Sequence, residues 1–299
     1  MSSSRLPGPG SRVLVGLIGS GIQASLSPAL HMQEGAEQGF EYQYELFDLD
    51  RLSGGPHSLS SLIDAAQIRG FVGLNVTHPC KQTILPLLDE LSDDARVLGA
   101  VNTVVFSNGR RIGHNTDWWG FAESFRRGLD GASVRCVVQL GAGGAGAAVG
   151  YAMLKLGAET LDIYDIDAVR MRTLVSTLSA LFPSQRIREV SDLRAVVPQA
   201  DGLVHATTTG MMKNPGLPLP LELLTSRHWV VEIVYFPLET ELLKAARTIG
   251  CRTLDGGGMA IFQAVGAFRL FTGVSPDAER MARHFDQLAR RPTKYTATD

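Results

Sequence analysis

The sequence is short of cysteine, of excess charge and of uninterrupted apolar stretches, and each shortage closes off a class of function. Its only cysteines are Cys80, Cys136 and Cys251, far apart and odd in number, with no CxxC pair and no Cys/His ligand spacing. A disulfide framework and a zinc site are therefore not expected, nor is any metal. Basic residues number 28 against 30 acidic ones, a formal net charge of −2. No basic surplus exists to release counterions from nucleic acid or to hold an acidic membrane, so neither partner is expected. Cys136–Leu154 carries no charge, but its glycines and Gln139 break it as strand, turn and helix, and a membrane span is rejected. The opening MSSSRLPGPGSR has no apolar core and reads as a leader, not a signal peptide. The expected location is cytoplasmic.

What is present suits a well-buried globular protein. The 299 residues exceed the usual length of one domain, 44% are hydrophobic and 19% charged, which favours two domains and rules out wholesale disorder. In the first half, apolar runs at Val13–Ile18, Tyr42–Phe47, Phe71–Val76 and Val101–Phe106 read as strands, with Arg111–His114 returning after the Asn108-Gly109 turn. Helices are expected after Pro28, over Asp117–Leu129, and from Pro79 through Ile84, Leu87, Leu88 and Leu91.

The second half alternates more cleanly. Strands at Val134–Leu140, Leu161–Asp165, Ile187–Val190, Leu203–Thr207, Val230–Tyr235 and Arg252–Leu254 interleave with helices at Gly144–Leu156, Val169–Leu181 and Glu239–Arg247. Such alternation predicts parallel strands joined by right-handed crossovers, a doubly wound α/β layer. Helices over Met259–Phe271 and Pro276–Leu288 and a frayed polar tail from Pro292 close the chain.

Residues 141–146 read GAGGAG, a GxGxxG match lying directly between the strand VRCVVQL and an apolar helix. In that context Gly141 permits the tight turn, Gly143 lets backbone approach a pyrophosphate, and Gly146 permits close helix–strand packing. Ala142, Gly144 and Ala145 complete the loop, and the helix N-terminus offers amides and positive dipole to phosphates. Asp165 ends the next strand, where a carboxylate can accept both adenosine ribose hydroxyls and repels a 2′-phosphate. Ile166 follows it, and the first arginines are Arg170 and Arg172. The pattern favours NAD, with NADP the alternative should an arginine reach the phosphate; a plain strand-end turn is the bland reading of Asp165.

Three first-half segments offer chemistry. In SLSPALH, Ser25 and Ser27 would share one side of an extended segment and bind one polyol or carboxylate, unless Ser27 merely caps a helix. In NVTHPCK, Asn75 and Thr77 share a strand side, and Lys81 falls in the first turn of a helix begun by Pro79. The positive end of the dipole there disfavours an ammonium and suits a proton acceptor; a solvated surface lysine is the alternative. In GAVNTV and HNTDWWGF, Asn102, Asn115, Thr116 and Asp117 cluster, with N-capping the bland role for Asp117.

The ordered series SLSP, NVTHPCKQ, GAVNTV, NTDWWGF, GAGGAG, VYFPLETELLKAA and DGGGMAIFQAVGAF, from about Val15 to Gly273, resembles the shikimate/quinate dehydrogenase family. The resemblance implies an α/β substrate-binding domain, residues 1–122 and 259–299, and a Rossmann-type domain, 123–258, across a cleft. It implies that Lys81 and Asp117 form the catalytic pair and that Ser25 and Ser27 bind a carboxylate. By the same resemblance Asn75, Thr77, Asn102 and Gln263 hold ring hydroxyls, Tyr235 lies near the carboxylate, Gly256 is close to the nicotinamide, and Thr207 and Val234 line the cofactor's path. The implied activity is reversible NAD-dependent oxidation of quinate or shikimate by a monomer or homodimer.

The sequence departs from the family pattern at four places. Asp165-Ile166-Asp167 stands where NADP-preferring biosynthetic members carry Asn-Arg-Thr, which is similar to the NAD-preferring quinate/shikimate branch. His78 precedes Pro79 in place of an apolar residue, His205 replaces the asparagine of an NAT motif, and Trp118 replaces a glycine and implies a bulkier cleft wall. The competing readings are an NADP-dependent biosynthetic shikimate dehydrogenase, an aminoshikimate dehydrogenase, and a non-catalytic dinucleotide sensor.

Overall fold

Strand-forming and helix-forming runs alternate along the chain, and they assemble into two six-stranded sheets, each within its own unit. The structure is a computed structural model that describes residues 10–51 and 58–290; the leader reading at residues 1–9 and the frayed tail from Pro292 lie outside the described residues. The chain divides into one unit of Met1–Thr116 with Ala264–Asp299 and another of Asp117–Gln263.

The first unit holds β1 (Arg12–Gly19), β2 (Glu41–Asp48), β3 (Gly73–Val76), β4 (Glu90–Leu91), β5 (Thr103–Ser107) and β6 (Arg110–His114). Their order is β2-β1-β3-β5-β6-β4. β1 runs parallel to β2 and β3, while β3–β5 and β5–β6 are antiparallel. Helix Leu59–Ile68 buries Leu62 and Ile63 against Leu14, Ile18, Leu74 and Val104 on one face. On the other face Phe268 and Phe271 pack on Val13, Val15, Phe40 and Tyr42, with Tyr42 and Phe268 stacked at 5.4 Å.

Helix Ala278–Ala289 is anchored to this unit by one carboxylate. Glu34, 1% exposed, accepts Arg280 Nη2 at 2.7 Å and Nε at 2.8 Å, the Asp277 amide at 2.9 Å and Gln38 Nε2 at 2.9 Å. Arg280→Ala would leave that carboxylate buried without its cation. The expected cost is about 2–3 kcal/mol, at the low end for a broken buried pair because Arg280 is partly solvated. A urea midpoint that falls at unchanged slope is the check.

The second unit holds β7 (Cys136–Leu140), β8 (Thr160–Tyr164), β9 (Arg186–Glu189), β10 (Gly202–His205), β11 (Trp229–Glu232) and β12 (Arg252–Leu254). All pairs are parallel, in the order β12-β11-β10-β7-β8-β9. Counted from β7 this is the doubly wound order, with its switch point between β7 and β10. The expected alternation of strand and helix is borne out, and the fold class is α/β in both units.

The structure corrects the first half in one stretch. The helix expected from Pro79 to Leu91 is a single turn, Cys80–Thr83, followed by a 3₁₀ turn at Leu85–Leu87 and then β4. Pro86 cannot donate to a preceding carbonyl and its ring would clash with the turn before it, so the apolar spacing does not continue as helix. Helices Leu59–Ile68 and Asp93–Leu98 were not expected; each begins at a serine, Ser58 or Ser92, whose hydroxyl accepts the amide three residues on.

Candidate active site

In the first unit, a row of polar side chains joins β2, β3 and β5. Asn75, buried on β3, accepts the Tyr44 hydroxyl at 2.9 Å and donates to Thr103 Oγ1 at 3.2 Å. Asn102 Oδ1 accepts Thr103 Oγ1 at 3.1 Å and the Thr116 amide at 2.8 Å, while its Nδ2 donates to Thr116 Oγ1 at 2.9 Å. Tyr44 also bonds Ser27; burial pushes its phenol well above the ordinary tyrosine range, with the Ser27 hydrogen bond working the other way. Tyr44 is thus a neutral hydroxyl that links Ser27 to Asn75. Beside it, burial lowers His31 to about 3, so its imidazole stays neutral against Tyr42.

Ser25 sits in a loop held by Asp48, which accepts the Gly21 amide at 3.0 Å and Gln23 Nε2 at 2.9 Å. Burial alone would raise the Asp48 carboxyl, but the bonds from Gln23 and from the Asp50, Gly21 and Ile22 amides hold it below the ordinary range. The extended segment expected at 25–27 is instead a turn into a helix. Leu26 has helical backbone, the helix begins at Ser27, and Ser25 Oγ accepts the Ser27 amide at 3.3 Å. The two serines therefore do not alternate along a strand, and Ser27 is not the cap.

Thr77 and Lys81 are half-buried. The Thr77 amide donates to Ile18 of β1 at 3.0 Å, and the Lys81 carbonyl accepts the Val101 amide at 2.8 Å, in the segment that leads into β5. Lys81 lies in a one-turn helix whose N-cap is Pro79. So short a segment sums few peptide dipoles, and the expected dipole argument for this lysine does not carry over. Asn115, also buried, donates to the Ala100 carbonyl at 3.0 Å.

In the second unit, the glycine loop leaves β7 at the switch point. Gly141 has φ +104°, and a Cβ on it would meet the Ala206 carbonyl oxygen at 2.4 Å. A Cβ on Gly146 would meet the Gly141 carbonyl oxygen at 2.3 Å. Gly146→Ala thus drives helix and loop backbones apart, and the expected cost is about 1–3 kcal/mol, read as a lower thermal midpoint. Gln139, fully buried, donates from Nε2 to both the Gly141 and Gly146 carbonyls at 2.8 Å and clasps the loop to its helix.

At Gly143 and Gly144 a Cβ would meet nothing within 4 Å. Gly143 is the N-cap of helix Gly144–Lys155 and receives no side-chain cap. Open space before uncapped helix amides is the chemistry a pyrophosphate needs, so these residues fit a dinucleotide. Asp165 Oδ2 accepts the Ala142 amide at 2.6 Å and Oδ1 accepts the Asp167 amide at 2.8 Å. Ile166 is 94% exposed, and Arg170 pairs with Asp167 at 3.4 Å.

The remaining expected residues also lie in this unit. Asp117 is the first residue of helix Asp117–Gly128 and is buried. Gln263 is half-buried and donates to the Ala260 carbonyl at 3.0 Å. Tyr235 is exposed and follows β11; Val234 is buried, and its amide donates to Glu232 at 3.0 Å. Gly256 lies against the Ile233 and Val234 carbonyls. Trp118 stands edge-on to Tyr151 of the loop helix at 5.4 Å. His205 bonds Glu232 and Thr207.

Sequence reasoning missed Tyr44, Gln139 and Glu232. The signal for the last two was a single polar residue inside an otherwise apolar strand, CVVQL and WVVE, next to a glycine loop or a strand end. Tyr44 gave no signal beyond alternation with Tyr42.

A parallel sheet of this order, with an open glycine loop at the switch point and a carboxylate ending the second strand, defines a dinucleotide-binding α/β protein. Residues 17–104 match the family model for the shikimate dehydrogenase substrate binding domain. A protein of Streptomyces avermitilis named shikimate dehydrogenase (NADP(+)) is 56% identical, covering 92% of this chain and 96% of its own. One of Corynebacterium efficiens named quinate/shikimate dehydrogenase (NAD(+)) is 49% identical over 92% and 98%. The solved quinate dehydrogenase from Corynebacterium glutamicum in complex with NAD aligns with a TM-score of 0.89 at 46% identity, covering 93% of this chain and 99% of that one. The chain belongs to the shikimate/quinate dehydrogenase family.

Proposed function

We propose that this protein catalyses reversible NAD-dependent oxidation of a ring alcohol of quinate, shikimate or both to the 3-dehydro ketone. The reading is carried by one observation: a dinucleotide loop whose strand-end acid, Asp165, braces it through the Ala142 amide at 2.6 Å. In this reading residues 1–122 and 259–299 bind substrate and 123–258 bind the cofactor. Bound NAD supplies the hydride acceptor. Lys81, in its neutral form, takes the hydroxyl proton as hydride leaves carbon, and Asp117 hydrogen-bonds the reacting hydroxyl. Ser25 and Ser27 hold the carboxylate with Tyr235. Asn75, Thr77, Asn102 and Gln263 fix the ring hydroxyls, and the Tyr44 bonds to Asn75 and Ser27 orient two of these groups at once.

The loop residues Gly141, Ala142, Gly143, Gly144, Ala145 and Gly146 receive the pyrophosphate. Asp165 and Ile166, with Arg170 held by Asp167, face the adenosine ribose, and Thr207, Val234 and Gly256 line the nicotinamide half. The enzyme acts as a monomer or homodimer in the cytoplasm. NADP-dependent shikimate oxidation is the second reading, favoured by the name of the 56% identical relative. A panel of quinate, shikimate and an aminated shikimate against NAD and NADP, followed by absorbance of the reduced cofactor, tests both. Turnover with none of the six pairs would reject both and favour a non-catalytic sensor.

A further inference from the structure

At the carboxyl ends of β10 and β11 a buried acid, an imidazole and a hydroxyl stand in line. His205 and Glu232 are both fully buried. His205 Nδ1 lies 2.9 Å from each Glu232 carboxylate oxygen, and Nε2 lies 2.5 Å from Thr207 Oγ1. Thr207 is beside the glycine loop: a Cβ on Gly141 would come within 3.0 Å of its methyl group.

The partners fix the proton positions. Glu232 Oε1 accepts the Val234 amide at 3.0 Å and Oε2 accepts the Thr240 hydroxyl at 3.1 Å, whose own oxygen accepts the Leu243 amide at 3.3 Å. Both carboxylate oxygens already receive donors, so Glu232 is the acceptor and Nδ1 carries the proton toward it. In neutral imidazole Nε2 then has only a lone pair, and the Thr207 hydroxyl must donate to it. Thr207, half-buried, accepts the Thr209 amide on Oγ1 at 3.1 Å, which leaves one lone pair for a further donor.

We propose that His205 and Glu232 are positioning residues that turn the Thr207 proton inward, so that this hydroxyl accepts a hydrogen bond from the nicotinamide half of the dinucleotide. The donor is a ribose hydroxyl or the carboxamide N–H, since both present a proton to a lone pair. A freely rotating threonine would divide itself between donor and acceptor; here the choice is made before binding. The inference rests on the dinucleotide reading of the second unit.

The full chain is titrated with NADH, ADP-ribose and ADP by calorimetry. Thr207→Val is expected to weaken NADH about five- to tenfold, the worth of one hydrogen bond, and to leave ADP unchanged; Thr207→Ser restores binding. Equal weakening of ADP-ribose identifies a ribose hydroxyl as donor, and no weakening identifies the carboxamide; either supports the proposal. His205→Asn is expected to weaken NADH similarly and to add nothing on top of Thr207→Val, the coupling of groups acting as one. Nitrogen NMR of the ligand-free protein at mildly alkaline pH should show the His205 proton on Nδ1, a readout that does not depend on the asparagine variant folding. Unchanged NADH affinity in Thr207→Val, or a proton on Nε2, would overturn the inference while leaving dinucleotide binding intact. A wild-type chain that binds neither NADH nor ADP would overturn both.

Discussion

Lys81→Ala is expected to lower kcat by about 10²- to 10⁴-fold, the range that general acid–base help contributes, with KM little changed. Removing hydride from an alcohol without removing its proton leaves a protonated carbonyl, so the barrier rises steeply when no base stands ready. In the proposed reading binding is spread over many hydroxyl and amide contacts, which is why KM should hold. The asymmetry separates this role from a structural one, since a collapsed site raises KM as well. Lys81→Arg should not rescue, because guanidinium stays protonated and cannot accept. Asp117→Asn should fall between, retaining a hydrogen bond to the hydroxyl but losing the charge. Steady-state kinetics with quinate and shikimate in both directions is the measurement, and a Lys81→Ala variant within a few-fold of wild-type turnover would remove the residue from the mechanism.

How much of this was legible depended on whether the local pattern could override tertiary context. The second unit was readable because parallel strands buried on both faces give continuous apolar runs, and glycines punctuate them where the loop turns. Gly141 and Gly146 could be assigned from their spacing between a strand and an apolar helix, and backbone atoms leave no room for a side chain at either position. The first unit was harder. Its helix Leu59–Ile68 lies in a serine- and glycine-rich neighbourhood, and the apolar spacing after Pro79 ignored Pro86. The side chains that hold the site were hardest of all. Asn75, Asn102 and Thr116 are joined by bonds across 14 to 31 positions once Tyr44 is included, and no local window contains such a row. His205 was visible as an oddity, but its meaning came only when Glu232, 27 residues on, arrived beside it.

Cofactor choice shows the same dependence on particular residues over general likeness. Relatives at 56% and 49% identity carry NADP(+) and NAD(+) in their names, so overall similarity does not decide. The proposed preference rests on the second strand's end. In the proposed reading Asp165, which accepts one amide on each oxygen, keeps its remaining lone pairs for ribose hydroxyls and sets its charge against a 2′-phosphate. The cations that could offset it are engaged: Arg170 with Asp167 and Arg172 with Glu189, at 3.4 and 3.9 Å. Asp167 is itself an N-cap, and the Arg170 amide, more than any other contact, holds its carboxyl below the ordinary range. It therefore stays charged and adds to the repulsion. The expected result is a kcat/KM for NAD at least tenfold above that for NADP, about 1.4 kcal/mol of discrimination. Because the repulsion is electrostatic and half-exposed, the ratio should shrink as salt rises. Asp165→Asn should lower the ratio and weaken its salt dependence, the Asp167 charge remaining, while losing some NAD efficiency because the Ala142 brace weakens. A preference for NADP of about tenfold in the wild type, or a ratio indifferent to both salt and Asp165→Asn, would show that the phosphate is read elsewhere.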